Sequence, residues 1–196
     1  MLYLFLLNKT DLFSSKTRRI LHIAPEISLQ KVLSDVPSAF YLSGDIREGA
    51  AMVKLNIMDL DCEDETFDLV ICSHVLEHVN DDRKSMAEMR RVLKADGYAI
   101  IQVPFGSTDE TREDASVQTP EERELAYGYH DHVRLYGRSD FVQRLQGVGF
   151  EVRHYDAMGL FDLNTLARCA IDQLEEIFIC YRHSPKNPLS ATMQST

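Results

Sequence analysis

Residues 67–79 read FDLVICSHVLEHV. Asp68 to Cys72 is a short, β-branched, apolar run of the kind that makes a strand buried on both faces of a parallel sheet. The polar pair Ser73-His74 ends it. The spacing of Val75, Leu76 and Val79 then predicts a helix with an apolar face toward the sheet, Glu77 and His78 lying beside it. In open α/β sheets, ligands sit in the crevice beyond the carboxyl ends of the strands. Ser73, His74 and Glu77 fall at such an end, which makes them candidate binding residues.

On either side, apolar runs alternate with amphipathic ones, the signature of βαβ units. The expected strands are Arg19–Ala24, Phe40–Leu42 ending at Gly44-Asp45, Val53–Ile57, Leu69–Cys72, Tyr98–Val103, one starting at Gly149–Val152, and Ile177–Tyr181. Helices are expected over Ile27–Ser34 and Asp81–Leu93, around Phe141–Leu145, and within Ala157–Glu175. Lys94-Ala95-Asp96-Gly97 reads as a turn with Gly97 as the helix stop. Gly106–Arg138 is long, polar and acidic, and is expected to lack strong structure and to be mobile without ligand.

The 196 residues suit one domain of ordinary size. Residues 1–18 are expected to form an N-terminal docking segment, because the apolar start MLYLFLL is too short to span a bilayer and lacks the basic flank of a signal peptide. Residues 19–183 make the main domain, with a lid insertion at about 106–137, and 184–196 a flexible tail. A net charge of −10 argues against a nucleic-acid partner, which calls for a basic face. Nothing is apolar for long enough to serve as a membrane partner. Four cysteines without a C-x-x-C pair suit the reducing cytoplasm. The oligomeric state is left open, a homodimer included.

The 67–79 segment closely resembles the fourth-strand motif of class I S-adenosylmethionine-dependent methyltransferases, in the type 11-like branch that carries an L-E-H-V-type sequence there. The resemblance extends over roughly residues 19–182. It implies an α/β fold: a doubly wound, mostly parallel seven-stranded sheet with an antiparallel last strand. It also implies S-adenosyl-L-methionine as cofactor and a small-molecule acceptor. Asp45 stands where the family places the carboxylate for the ribose diol, and Asp59 where an acid contacts the adenine amino group. Met58 could pack on the purine face.

The first loop departs from the family pattern. In His22-Ile23-Ala24-Pro25-Glu26-Ile27-Ser28, the residues Ala24, Glu26 and Ser28 occupy the places of glycines, and His22 that of an acid. The chain resembles a subgroup with H-I-A-P-E at this point. In that reading small Ala24 still permits close approach of the backbone, and Glu26 grips the cofactor's ammonium. The alternative is a decayed site on a noncatalytic interaction protein.

Two further patterns carry chemistry. His130 or His132, oriented by Asp131, could be the base for methyl transfer, with Arg134 clamping an anionic acceptor. His74-Val75-Leu76-Glu77-His78 also spells the H-x-x-E-H of some zinc hydrolases. The methyltransferase reading explains the neighbouring strand and acids as well, and assigns no metal.

Overall fold

The computed structural model describes residues 1–14 and 17–183. Its strands are β1 (Arg18–Ile23), β2 (Ala39–Asp45), β3 (Val53–Lys54), β4 (Phe67–Ser73), β5 (Leu93–Gln102), β6 (Glu151–Asp156) and β7 (Glu176–Tyr181). Its helices are α1 (Leu2–Lys9), α2 (Ile27–Ser34), α3 (Asp82–Val92), α4 (Pro120–Tyr127), α5 (Arg138–Gly147), α6 (Ala157–Leu160) and α7 (Leu163–Arg168). The strands form one sheet in the order β3-β2-β1-β4-β5-β7-β6. β1 to β5 run parallel, and β7 lies antiparallel between β5 and β6. This is the doubly wound architecture the sequence implied. The strand order reverses between the neighbours β1 and β4, so the crevice of such a sheet opens there.

Successive strand residues face opposite ways, and the two faces build two cores. Leu21, Ile23, Val70, Cys72, Ala99, Ile101, Phe178 and Cys180 face one side, beneath Met86, Met89 and Val92 of α3 and Phe141 and Leu145 of α5. Ile20, Leu69, Ile71, Ile100, Ile177 and Ile179 face the other, beneath Leu2, Phe5 and Leu6 of α1 and Leu29 and Leu33 of α2. Phe5 and Leu6 are fully buried. Burial of such a side chain contributes about 1.5–3 kcal/mol, so α1 is held as part of the domain.

Several elements differ from expectation, each for a local physical reason. No helix follows β4 directly: residues 75–79 form a turn, and α3 begins at Asp82, capped by the Asp81 side chain on Lys84 N. The carbonyls that a helix would use are taken by distant partners. Leu76 O, Val79 O and Asn80 O accept from the Arg134 guanidinium, and Glu77 O accepts from Val133 N. Gly97 is no helix stop either, since α3 passes straight into β5 through an extended Leu93. A Cβ at Gly97 would lie 3.0 Å from Phe67 O, so glycine serves close approach of β5 to β4. β3 is shorter than expected because the Asn56 side chain accepts from Met58 N at 3.0 Å and turns the chain. The 157–175 segment holds two short helices, α6 and α7, instead of one.

The acidic 106–138 stretch is built rather than structureless. α4 carries a full capping box between Thr119 and Glu122. Glu113 bridges two buried arginines, accepting from Arg134 Nε at 2.9 Å and Arg144 Nη2 at 2.8 Å. Asp82, itself buried, accepts from Arg144 at 3.0 Å and Tyr136 OH at 2.8 Å. The tail expected over 184–196 lies outside the described residues.

Glu113 sets an expectation for acid stability. The Arg144 hydrogen bond and then Arg134, opposed by burial, hold its carboxyl down at about 2, from an ordinary value of 4.5. A depressed carboxyl contributes stability that is complete above its unfolded value and lost as pH falls through its folded one. Thermal midpoints measured between pH 5 and pH 2 should therefore fall somewhat further for the wild type than for Glu113→Gln. Parallel curves would mean the arginines stabilise the fold independently of this carboxylate's charge. The side chain is 41% exposed, so solvent screening keeps the effect modest.

Candidate functional site

A cavity of about 470 Å³ opens at the carboxyl ends of β1, β2 and β4. Ile23 and Ala24 come from the end of β1, Asp45 to Arg47 from β2, and Leu55 to Met58 from the turn after β3; the segment after β4 adds His74, Val75, His78, Val79 and Asn80. Asp131 reaches the wall from the far segment. The cavity thus joins Ala24, Asp45, Met58, His74 and Asp131, five residues singled out from the sequence.

Two wall residues carry left-handed backbone. Ala24 has φ 46° and His74 φ 53°. Each first extends its strand's ladder by one bond, Ala24 N to Gly44 O at 2.8 Å and His74 N to Gln102 O at 3.0 Å. Each chain then swings away in a conformation that suits glycine. Ala24 therefore keeps the glycine-like backbone at a place where the family pattern has glycine. Strain of this kind gathers at ligand sites. A left-handed non-glycine residue costs roughly 1–2 kcal/mol. Glycine's greater unfolded-state freedom takes back about 0.5–1 kcal/mol of the relief. Ala24→Gly should therefore unfold in denaturant at the same midpoint or a higher one. A clear fall would show that the methyl packs in a way that outweighs the strain.

Asp45 is 5% exposed, beside Gly44, where a Cβ would collide with Leu55 at 2.6 Å. Its Oδ1 accepts from Arg47 N at 2.7 Å and Nε at 3.2 Å, and its Oδ2 from Nη2 at 3.3 Å. Burial opposes its ionisation, but the Arg47 bonds outweigh burial and keep the carboxyl below its usual range. The Arg47 side chain is 79% exposed, so its guanidinium can swing into solvent when another donor takes its place on the buried carboxylate.

Glu26 lies at the N-cap of α2 and is not among the wall residues. Fully buried His22 holds it: Nε2 stands 3.1 Å from Glu26 Oε2, and Nδ1 2.9 Å from Tyr41 OH. The arrangement is satisfied when Nε2–H donates to the carboxylate and Nδ1 accepts from the phenol. Burial pushes the Glu26 carboxyl up, yet the His22 bond leads the contacts that bring it below its ordinary value. The histidine in the acid's place thus orients an acid four residues on.

Other expected residues lie apart from the wall. Asp59 is exposed in the turn that Asn56 closes. Ser73 is buried, its hydroxyl 3.4 Å from Gln102 Oε1. His130 is exposed and stacks near Tyr129. His132 is half-buried beside His78, ring centroids 4.7 Å apart. Burial holds the His132 imidazole below its ordinary value. Asp131 pairs with His78 Nδ1 at 3.2 Å, so the histidine it orients is His78. Arg134 is 4% exposed and engaged with carbonyls and Glu113, which leaves no guanidinium to clamp an acceptor. The pattern H-x-x-E-H falls on the turn, and His74 Nδ1 lies 3.3 Å from Glu77 Oε1. That contact, more than burial opposes it, holds His74 above the ordinary imidazole range. Asn56 and Arg47 carry the functional geometry that the sequence did not flag. An Asn directly after a strand was the available signal for the first.

Residues 35–101, from before β2 to the end of β5, match the sequence model described as a methyltransferase domain. An uncharacterized protein of Methanocaldococcus jannaschii is 52% identical over 48 residues, which are 24% of this chain. The chain spans 21% of that curated relative's length. An S-adenosylmethionine-dependent methyltransferase from Mesorhizobium loti has a similar structure, with a TM-score of 0.61 at 14% identity over 85% of this chain and 91% of that one. So has a phosphoethanolamine N-methyltransferase of Haemonchus contortus in complex with S-adenosyl-L-methionine, with a TM-score of 0.56 at 15% identity over 87% of this chain and 49% of that one. At such identities the structural likeness speaks for the fold.

Proposed function

We propose that this chain, whose resemblance to the class I S-adenosylmethionine-dependent methyltransferases rests on both sequence and fold, transfers a methyl group from that cofactor to a small-molecule acceptor. The observation that carries the reading is the cavity at the reversal of strand order, where a buried, ionised Asp45 and the left-handed Ala24 share one wall. Asp45 would take the ribose diol, Ala24 would let the backbone approach, and Met58 would lie on the adenine face with Asp59 near its amino group. Glu26 would meet the ammonium, and Ser73 and His74 would border the methionine end.

Methyl transfer is an in-line displacement that depends on alignment and on a dry site. The sulfonium carbon moves to the acceptor, and the C–S electrons return to sulfur. Deprotonation of the acceptor is assigned to the 130–132 segment, which reaches the cavity through Asp131. The net charge of −10 favours a small acceptor over nucleic acid. No helix among the described residues is long and apolar enough to cross a membrane. Four free cysteines fit a cytoplasmic setting.

Calorimetric titration with S-adenosylhomocysteine tests the reading. One saturable site per chain is expected, with a thermal midpoint that rises with ligand concentration. No heat and no shift up to about 1 mM, the affinity of a contact worth roughly 4 kcal/mol, would leave a methyltransferase fold without its cofactor.

A further inference from the structure

Glu77 is completely buried, and neither of its carboxylate oxygens has a hydrogen-bond partner among the described residues. A buried carboxylate whose nearest cation is the imidazole of exposed His74 still has lone pairs to fill, and a metal ion is one group that fills them. Ring nitrogens approach it: His74 Nδ1 at 3.3 Å and His78 Nε2 at 4.0 Å. His132 belongs to the same group, and its Nδ1 is also buried with no hydrogen-bond partner among the described residues. One donor atom each from Glu77, His78 and His132 lie within 4.8 Å of one another.

The geometry points to a divalent transition-metal site formed by Glu77, His78 and His132. Two imidazoles and one carboxylate suit zinc, iron or cobalt better than calcium or magnesium, which prefer oxygen throughout. Donors about 2.1 Å from a tetrahedral ion stand roughly 3.4 Å apart, so the shell closes with side-chain movements on the order of 1 Å. The supporting contacts are in place. Asp131 holds His78 Nδ1 at 3.2 Å, the arrangement that turns the other ring nitrogen toward a metal. Glu77 O accepts from Val133 N at 2.9 Å, which ties the turn bearing two ligands to the segment bearing the third. Arg134 fixes the same turn from the other side through Leu76 O and Asn80 O. This set differs from the H-x-x-E-H reading, since His132 replaces His74.

His78, His74 and Asp131 line the cofactor cavity, so the ion stands at its edge. Resting on the methyltransferase reading, the inference gives the ion part of the task otherwise assigned to a base: as a Lewis acid it would lower the pKa of an acceptor hydroxyl, whose proton would pass to solvent water as the oxygen takes the methyl group. His132 is then a ligand.

The test is titration of chelator-stripped protein with Co²⁺ and, separately, Zn²⁺, followed by calorimetry and visible absorption, with S-adenosylhomocysteine binding measured on the same samples. The wild type should bind one ion per chain, with the cobalt d–d bands of a nitrogen–oxygen shell and no thiolate charge-transfer band. Half-exposed His132→Ala and His78→Ala should each weaken binding about 100-fold, and Asp131→Asn about 10–100-fold as an orienting partner does. S-adenosylhomocysteine should bind the wild type both stripped of metal and loaded with it. No saturable metal binding by wild type, or unchanged binding in both histidine variants, overturns the site whatever the cofactor does. Metal binding at these ligands without cofactor binding upholds the site and sinks the methyltransferase reading instead.

Discussion

Asp45→Ala is expected to weaken S-adenosylhomocysteine binding by about ten-fold to more than a hundred-fold while leaving the protein folded. The carboxylate is buried at the end of β2 on the cavity wall, and it is held ionised. A ribose diol would donate both hydroxyls to it. Hydrogen bonds to a charged group contribute about 1.5–3 kcal/mol together with the desolvation they avoid, which converts to the stated range. Arg47 now fills three of the roughly four acceptor directions of that carboxylate. The diol must therefore displace the guanidinium, which is free to leave because it is exposed. Arg47→Ala should accordingly bind no more weakly than wild type. Calorimetry on the two variants separates the roles. Unchanged affinity in folded Asp45→Ala removes Asp45 from the site, and a large loss in Arg47→Ala makes Arg47 a ligand contact instead.

Arg134→Ala should cost about 3–5 kcal/mol of stability, the range for removing one member of a buried charge network. Four acceptors lose a donor at once: Val79 O and Asn80 O, Leu76 O, which keeps Tyr136 OH at 3.3 Å, and Glu113, which keeps Arg144. For a chain of this size that lowers the thermal midpoint by on the order of 10 °C. Arg134→Lys should not rescue it, because an ammonium cannot reach carbonyls on one side and a carboxylate on the other as a planar fork does. The loss should also spread to the cavity, since His78 and Val79 sit on the turn that Arg134 holds. A midpoint within about 2 °C of wild type would be a loss of under 1 kcal/mol, and would mean that Val133 N and the packing of Leu76 keep the turn closed unaided.

The sheet was legible because each strand carries its own signal. Val70 and Cys72 face one core and Leu69 and Ile71 the other, and the short, β-branched, unbroken run Leu69–Cys72 reads as such a strand, buried on both faces. α2 falls on the expected residues, Ile27–Ser34, because Pro25 and the apolar spacing are local. Asp45 was legible as the acid that ends β2, and Ala24 as the small residue that ends β1. Residues 75–79 misled because their apolar spacing is helical while their carbonyls are claimed from 58 residues away, by Arg134 on Leu76. Arg134 itself read as a free cation for the same reason: three of its hydrogen-bond partners are backbone oxygens, which leave no mark on side-chain pattern, and the fourth, Glu113, lies 21 residues away. The Glu77, His78 and His132 group was half visible. Two of its members adjoin in the sequence, but the third arrives only when Val133 N bonds to Glu77 O. Local periodicity determines which segments become strands and helices, because each must bury its own apolar face. Which polar atoms meet at the strand ends is decided by tertiary structure, because buried donors and acceptors must find partners wherever the chain brings them.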